Sequence, residues 1–330
     1  MKLGTVKDGT RDGTLVVVSR DLRHAVPADH IALRLQDALD DWDYAAPQLA
    51  TLYEDLNRAP SSRAFEADFA KFAAPLPRTY QWADGAAYVV RLERAHRARG
   101  AELPKESWAE PLMRQRGADA LLGPREDIAV ESEDWGIDLG AGIAVVTGDV
   151  PMGTKPDKAG EHIRLLMLAN DLSLRNLIPP EVERGFGFFQ GKPACAFGPL
   201  AVTPEELGAA WHGGKLHLPV LVHVNGEPLG RPGAGVDMTF GFYRLIAHAA
   251  RTRPLSAGTI IGSGTVSNRD KGAGCACLEE KRMLEIIEKG EAVTPYLKFG
   301  DRVRIDMPDE AGQSVFGAID QHIVQYVPPR

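Results

Sequence analysis

Side chains suited to binding a small anion or cation are concentrated in four short segments of this 330-residue chain. Carboxylates occur in Asn170-Asp-Leu-Ser-Leu-Arg175 and in Cys277-Leu-Glu-Glu-Lys281, and an amine ends the segment Gln190-Gly-Lys192. Two guanidinium groups lie in Pro111-Leu-Met-Arg-Gln-Arg-Gly117. Guanidinium groups suit carboxylate oxygens, whereas several carboxylates together suit a hard divalent cation. The residue types therefore indicate a site for a small anionic molecule.

Composition and charge point to the same class of ligand. The chain is 44% hydrophobic, enough to bury a substantial core in one large domain or two moderate ones. Its net charge is -7 and it has no long run of Lys or Arg, so we expect neither nucleic acid nor a membrane as a partner. No signal peptide is recognisable at the start, and no apolar run approaches the ~18 residues of a membrane span. A cytoplasmic location is the default expectation.

The cysteines are expected to be structural. There are three of them, an odd number, and Cys275-Ala-Cys277 lacks the two-residue spacer and the partner pair of a zinc site. Buried free thiols are favoured over a metal-binding or redox role.

Hydrophobic patterning predicts an α/β N-terminal segment followed by a strand-rich region. A strand is predicted at Thr14–Ser19, with helical patterns near Ile31–Trp42 and Ala45–Asn57. Proline-containing connections follow, so residues 1–80 are interpreted as a small separable cap domain and 81–330 as the catalytic domain. Further helices are predicted over Ala87–Arg99 and Phe240–Ala250.

The later strands are predicted from short β-branched or apolar runs, and Asn225-Gly226 is a hairpin turn signal. The predicted strands are Ile143–Thr147, Ile163–Ala169, Leu218–Val224, Thr259–Ile261, Val303–Met307 and Ile319–Tyr326. Many strands with few helices favour a mixed, β-rich α+β fold over a doubly wound parallel sheet.

A series of motifs in one order resembles the fumarylacetoacetate hydrolase family in its bacterial, fumarylacetoacetase-like or acylpyruvase-like form. The motifs are Tyr80-Gln-Trp-Ala-Asp84, Gly123-Pro124, Val146-Thr-Gly-Asp-Val-Pro-Met152, Asn170-Asp-Leu-Ser-Leu-Arg175, Gly185-Phe-Gly-Phe-Phe-Gln-Gly-Lys192, Gly262-Ser-Gly-Thr265 and Phe299-Gly-Asp301. The resemblance implies a rolled mixed β-sheet, a homodimer, and cleavage of a carbon-carbon bond in a β-diketo acid held on Mg²⁺ or Ca²⁺.

The positions that resemble the family's metal ligands are only half filled with carboxylates. Asp84 and Asp171 match two ligands, but Gly140 and Gly142 stand where a Glu-x-Glu pair is expected. A spacing of two keeps both glycines on one face of a strand. Neighbouring Asp134 and Asp138 are alternative ligands only if the register slips. Loss of two side chains predicts a wider pocket, and the cofactor is expected to be absent or weakly bound Mg²⁺ or Ca²⁺.

The position of the family's general base is also changed. The resemblance places the base, a histidine, seven residues after Asp84, where this chain has Arg91, and its carboxylate partner at Glu279. An arginine with a pKa above ~12 cannot take up a proton at neutral pH. We expect Arg91 and Glu279 to form a charge-assisted pair, the alternative being that Glu279 belongs to an exposed helix face.

Several further residues are expected to contact the substrate. Arg175, Lys192 and Thr265 match family positions that meet a carboxylate or polarise a carbonyl, and Tyr88 begins the helix that carries Arg91. The alternatives to substrate contact are a structural salt bridge for Arg175 and a solvated loop position for Lys192. Arg114 and Arg116 replace uncharged residues of related bacterial sequences, either to hold the anion that a metal would hold or through drift.

Three functions stay open on the sequence. The first is an enzyme acting on a small anionic β-diketo or 2-oxo acid by carbon-carbon cleavage, decarboxylation or tautomerisation, with Lys192 as electrophile and arginines in place of the metal's charge. The second is a non-catalytic metabolite-binding protein or a partner of an active homologue. The third is a conventional metal-dependent fumarylacetoacetase that uses Asp84, Asp171 and waters.

Overall fold

The computed structural model describes residues 1–185 and 187–329, so Phe186 of the Gly185–Lys192 motif and Arg330 lie outside the described residues. The strands are β1 (Lys2–Val6), β2 (Thr14–Val18), β3 (His24–Pro27), β4 (Phe65–Glu66), β5 (Trp82–Gly85), β6 (Met113–Arg116), β7 (Ile128–Val130), β8 (Ile137–Asp138), β9 (Ala141–Thr147), β10 (Ile163–Asn170), β11 (Ser173–Leu174), β12 (Ala196–Val202), β13 (Trp211–His212), β14 (Lys215–Leu216), β15 (Leu221–Val224), β16 (Glu227–Gly230), β17 (Ile260–Thr265), β18 (Arg302–Asp306) and β19 (Ile319–Gln325).

The α-helices are short, apart from α2 and α7. They are α1 (Leu35–Asp40), α2 (Trp42–Arg58), α3 (Val89–Arg97), α4 (Pro156–Ala159), α5 (Ile178–Glu183), α6 (Phe242–Ala249) and α7 (Leu278–Lys289). Short 3₁₀ segments occur at Phe69–Lys71, Lys105–Trp108, Glu133–Trp135, Gly160–His162, Arg175–Leu177, Pro204–Ala210 (interrupted at Gly208) and Lys271–Ala273. No α-helix of the described residues is long and apolar enough to cross a membrane.

A ten-stranded mixed sheet organises the molecule, in the order β4-β3-β2-β1-β12-β10-β9-β17-β5-β6. A five-stranded sheet, in the order β16-β15-β18-β19-β7, contacts it through β19, which touches β10 and β12. The predicted α+β fold with a β-rich mixed sheet is confirmed.

Both faces of the large sheet are buried because its central strands carry apolar residues on both faces. In β10, Leu166 and Leu168 belong to one core cluster, whereas Leu165 and Met167 belong to the other. Side chains alternate between the faces of a strand, so continuous apolar runs such as this one fill two layers of core. Helices α1 and α2 cover one face, and the five-stranded sheet covers part of the other.

The N-terminal residues are not a detached cap. Strand β1 pairs antiparallel with β12, with Leu3 opposite Ala201, so the sheet runs without interruption from the N-terminal segment into the later strands. Main-chain hydrogen bonds therefore join the N-terminal segment to the later strands, and the division into a unit of residues 1–80 and a unit of residues 81–330 stays a prediction.

Candidate active site

Four neighbouring strands bring the predicted ligand positions together. Asp84 on β5 is paired with Gly262 on β17. Thr265, also on β17, is paired with Gly142 on β9. Strand β10 lies on the other side of β9 and ends at Asn170, so Asp171 follows directly. The sheet register therefore places Asp84, Thr265 and Asp171 at adjoining strand ends.

Arg116 occupies the centre of this arrangement. Strand β6 pairs with β5 so that Trp82 is opposite Arg116 and Asp84 is opposite Arg114, and opposite residues share a face. The Arg116 Nη2 atom donates to Asp84 Oδ2 at 3.1 Å and to Asp171 Oδ2 at 2.7 Å. The Arg116 side chain is only 2% exposed, so one guanidinium bridges two buried carboxylates.

The other oxygens of the two carboxylates are also engaged by protein donors. Asp84 Oδ1 accepts the Gly264 backbone N–H at 2.8 Å, and Asp171 Oδ1 accepts the Cys195 thiol at 3.3 Å. Gly264 has φ +72°, a left-handed conformation that favours glycine, and an added Cβ would lie 2.3 Å from Gly85 O. The bend that aims this N–H at Asp84 therefore depends on a glycine.

Lys192 is the second cation at Asp171. Its Nζ donates to Asp171 Oδ2 at 2.8 Å and to Ser173 Oγ at 2.5 Å, and its side chain is 7% exposed. An ammonium group has three N–H bonds, so one stays free for a ligand. Lys192 is not the solvated loop lysine of the alternative interpretation.

Burial and the neighbouring charges shift the pKa values of this cluster. Burial, with the Asp171 charge second, raises the pKa of Asp84. Burial also opposes ionisation of Asp171, but Lys192 and Arg116 outweigh it and hold the pKa of Asp171 well below its usual range. Burial lowers the pKa of Lys192 to about 8 despite the attraction of Asp171. Asp171 is thus a permanent carboxylate, whereas the proton of Lys192 is comparatively labile.

The cluster opens into a cavity of about 670 Å³. All of the predicted catalytic and substrate-binding side chains line it, together with the two aspartates: Asp84, Tyr88, Arg91, Arg114, Arg116, Asp171, Arg175, Lys192, Thr265 and Glu279. An apolar part of the wall comes from α5 and its surroundings, including Ile178, Val182 and Phe188. The structure therefore brings these residues to one place, and their roles stay predictions.

Two of the lining residues, Arg175 and Tyr88, have partners for their side chains within the protein. Arg175 forms a salt bridge with Asp138, its Nε lying 2.8 Å from Oδ2. Asp138 also accepts the backbone N–H groups of Leu278 and Glu279, so Arg175 and the first turn of α7 share one carboxylate. The Tyr88 hydroxyl donates to Ala234 O at 2.6 Å. Because Asp138 is fully committed, it does not substitute for a missing ligand.

The predicted pair between Arg91 and Glu279 is wrong. In the described residues, Tyr296 donates its hydroxyl to Glu279 Oε2 at 2.5 Å, and no ion pair joins Glu279 to Arg91. The buried pair between α3 and α7 is instead Arg94 with Glu280, 2.5 Å apart. Both partners lie further along their helices than the residues that the prediction chose.

Arg114 lies near the mouth of the cavity and is exposed to solvent. Its guanidinium carbon stacks 3.9 Å from the ring centroid of Phe188, a cation–π contact. Arg114 therefore does not share the buried aspartates with Arg116, although the two side chains belong to one strand face.

The glycines at the Glu-x-Glu position do not widen the cavity, contrary to prediction. An added Cβ would lie 2.5 Å from Asp171 O at Gly140 and 2.6 Å from Gly264 O at Gly142. Gly140 also accepts the Asp171 backbone N–H at 2.8 Å. Main-chain atoms occupy the space that a side chain would need at each position, so these glycines permit close approach of the backbone.

Sequence reasoning missed Cys195 and Ser173 as partners of the cluster. The cysteines are free and buried as predicted, but Cys195 also links Trp82 Nε1 and Asp171, each at 3.3 Å from its Sγ. Ser173 lies in the Asn170–Arg175 motif, so its proximity to Asp171 was a usable signal. Nothing near Cys195 in the sequence marks its contact with Asp171.

Comparison with known proteins identifies the class to which this fold and site belong. The model of the fumarylacetoacetate hydrolase C-terminal domain matches residues 81–324, and that of fumarylacetoacetase N-terminal domain 2 matches residues 1–78. The chain therefore belongs to the fumarylacetoacetate hydrolase family.

Relatives with assigned activities are distant. The chain is 31% identical to oxaloacetate tautomerase YisK of Bacillus subtilis over 139 residues, which are 41% of this chain and 43% of that protein. The match thus spans less than half the length of this relative. Oxaloacetate tautomerase fahd2 of Xenopus laevis is 26% identical over 159 residues, 47% of each chain.

Among solved structures, maleylpyruvate hydrolase from Sphingobium sp. SYK-6 in complex with manganese(II) ion and pyruvate has a TM-score of 0.63 and 16% identity, covering 99% of this chain and 100% of the other. At this identity the likeness shows the fold alone.

The close packing at Gly142 predicts a loss of stability on substitution. Gly142→Ala should lower the free energy of unfolding by about 1–3 kcal/mol, because its Cβ must displace the Gly264 carbonyl. Chemical denaturation measures this change. Gly117→Ala is the matched control, since a Cβ there meets nothing closer than Asp119 Oδ1 at 3.7 Å. Equal stability of both variants would show that the main chain is not tightly packed at Gly142.

Proposed function

We propose that this protein is an enzyme that interconverts the keto and enol forms of a small 2-oxo acid without a divalent cation. The observation that carries the proposal is the Arg116 guanidinium, which bridges Asp84 and Asp171 and leaves its own Nε and Nη1 without a partner in the described residues. A buried donor without an acceptor is costly, and the oxygens of an anionic ligand would satisfy it.

The residues present do not fit the divalent cation that a family relative binds. All four oxygens of Asp84 and Asp171 already accept hydrogen bonds from protein donors. In the part of the chain that the structure describes, no three His, Cys, Asp or Glu side chains are grouped to hold a metal ion. A guanidinium directly on both carboxylates would also repel a cation. The mechanism below therefore uses only side chains of this chain.

Enolate formation requires a base near C3 of the substrate and positive charge near its C2 oxygen. Glu279 lines the cavity and is not held by Arg116 or Lys192, so we assign it the base. Glu279 removes a proton from C3 of the substrate, and the electron pair of that C–H bond becomes the C2–C3 double bond. The C2 oxygen becomes negative and is stabilised by Arg116 and Lys192.

Lys192 completes the reaction. Its ammonium donates a proton to the C2 oxygen, which gives the enol, and a pKa of about 8 makes this transfer accessible near neutral pH. Glu279 then returns its proton to Lys192 through solvent. Thr265 and Arg175 line the same cavity, and we assign Thr265 to the substrate carboxylate. The reverse sequence converts the enol to the keto form.

Hydrolytic carbon-carbon cleavage has less support. That reaction needs a base that activates water, and Arg91 occupies the family's base position. Cys277 and Glu280 outweigh the effect of burial and raise the pKa of Arg91, which therefore stays protonated. Tautomerisation is also the activity named for YisK and fahd2. Assembly as a homodimer in the cytoplasm stays a prediction.

Turnover of oxaloacetate tests the proposal. The purified protein, treated with EDTA, should accelerate enol-to-keto conversion above the buffer rate, followed by ultraviolet absorbance of the enol. Arg116→Gln should lower kcat by about 100-fold or more, the usual effect of losing a preorganised donor to an oxyanion. Arg99→Gln, at the exposed rim of the cavity, is the control and should keep the wild-type rate. Ligand binding without acceleration by the wild type would support the non-catalytic alternative instead.

Lys192→Met should abolish turnover while the fold survives, because it removes the proton donor but keeps an unbranched side chain. Far-UV circular dichroism and the melting temperature report the fold, and the same absorbance assay reports turnover. Lys158→Met, at a lysine that is 65% exposed, is the matched control. Undiminished activity of Lys192→Met would contradict the role given to this lysine.

Calorimetric titration with Mg²⁺ and then Mn²⁺ tests the metal-free site. The wild type should show no binding in the micromolar range, which corresponds to ~8 kcal/mol. Arg116→Ala frees Asp84 Oδ2 and leaves Asp171 Oδ2 with Lys192 as its one remaining donor, so this variant should bind Mn²⁺ more tightly than the wild type. Micromolar binding by the wild type would favour the conventional metal-dependent enzyme.

A further inference from the structure

Arg91 is a guanidinium that has no carboxylate at ion-pair distance in the described residues. It lies on α3 and lines the cavity, and its hydrogen-bond partner in the described residues is Cys277 Sγ, 3.8 Å from Nη2. Its Nε is buried and has no partner there. Burial raises the pKa of Cys277 to about 11, so the partner is a neutral thiol at physiological pH.

The other buried arginines around the cavity each have a carboxylate within ion-pair distance. Arg116 contacts Asp84 and Asp171, Arg175 contacts Asp138, and Arg94 contacts Glu280. Among the described residues, no ion pair within 4.0 Å is formed by Arg91. Protein interiors seldom leave a charge unpaired, since desolvating it is costly. Arg91 is therefore the member of this group that needs an anion from outside.

The charge of the cavity wall agrees with a ligand that carries two negative charges. Six Lys or Arg and four Asp or Glu side chains line it, an excess of two positive charges. Two of the carboxylates, Asp84 and Asp171, are bridged by Arg116, and Glu279 is held by Tyr296. The second charge of the ligand is therefore assigned to Arg91, which has no carboxylate within ion-pair distance in the described residues.

We propose that Arg91 forms a second anion-binding subsite, which selects 2-oxo acids that carry a second carboxylate over those that end in a methyl group. This inference rests on the proposed function, in which Arg116 and Lys192 bind the C2 oxygen of the 2-oxo acid. A guanidinium offers two parallel N–H bonds to a carboxylate along one edge, and along the Nη1–Nη2 edge of Arg91 the protein contact in the described residues is the Cys277 thiol at 3.8 Å. The second carboxylate supplies the ion-pair partner that no carboxylate of the described residues provides within 4.0 Å of Arg91.

Two matched pairs of ligands test this subsite. Oxaloacetate is compared with 2-oxobutanoate, and 2-oxoglutarate with 2-oxopentanoate, because within each pair a carboxylate replaces a methyl group at constant chain length. Binding is measured by calorimetry with EDTA present. In at least one pair the wild type should bind the dicarboxylate about tenfold more tightly, as expected for charge-assisted hydrogen bonds.

Substitution then assigns the preference to Arg91. Arg91→Gln should lose the preference and keep its affinity for the monocarboxylate, whereas Arg91→Lys should retain part of it because the charge remains. Arg97→Gln, an exposed arginine on the same helix that does not line the cavity, should bind as the wild type does. Circular dichroism tests whether each variant is folded. If Arg91→Gln does not fold, the comparison of the dicarboxylate preference between the wild type and Arg91→Lys decides the result.

The outcomes separate this inference from the proposed function. A wild type without preference in either pair, or a preference that survives in Arg91→Gln, overturns the subsite even if tautomerisation is observed. A preference that depends on Arg91 supports the subsite even if oxaloacetate is bound and not turned over, in which case the proposed function fails and the subsite stands.

Discussion

The bridge from Arg116 to Asp84 and Asp171 is the interaction on which the rest of the site depends. Two carboxylates with side chains about 10% and 8% exposed cannot stay ionised side by side unless a cation lies between them. The sheet provides that cation covalently, because β6 pairs with β5 and places Arg116 on the same face as Asp84. A guanidinium held in this way cannot dissociate or exchange. It fixes the positions of both strand ends and leaves its remaining N–H groups toward a ligand.

The close main-chain packing at Gly140 and Gly142 is structurally linked to the Arg116 bridge. Gly140 approaches the Asp171 carbonyl and Gly142 approaches the Gly264 carbonyl, so strand ends that would otherwise flank two side chains lie directly against each other. Gly264 in turn donates its N–H to Asp84. Glycine at these two positions and arginine at position 116 are therefore mutually consistent: the strand ends pack closely, and Arg116 together with Lys192 supplies two positive charges for the two carboxylates.

Local pattern predicted the strands well, and non-local contacts explain what it missed. Residues that are adjacent in the sequence are enough to predict strand β10 and the turn at Asn225-Gly226. The pairing of β1 with β12 joins residues about 200 positions apart, and no local signal encodes it. The Arg91–Glu279 pair failed because successive helical residues point about 100° apart, so Glu280 rather than Glu279 faces α3. The prediction of a wider pocket failed because it assumed that the volume of a missing side chain stays empty, whereas backbone atoms fill it.

Arg116 and Arg91 show that one residue type serves opposite purposes in the same cavity. Arg116 is neutralised by the protein, so its contribution to an approaching anion is reduced by the carboxylates that it holds. In the described residues Arg91 contacts a neutral thiol and has no carboxylate within 4.0 Å, so its charge is offset less than that of Arg116. A guanidinium at this position cannot accept a proton, and so it removes one way of activating water. It adds instead an attraction that does not depend on pH in the physiological range, which changes the position from one suited to proton transfer to one suited to substrate selection.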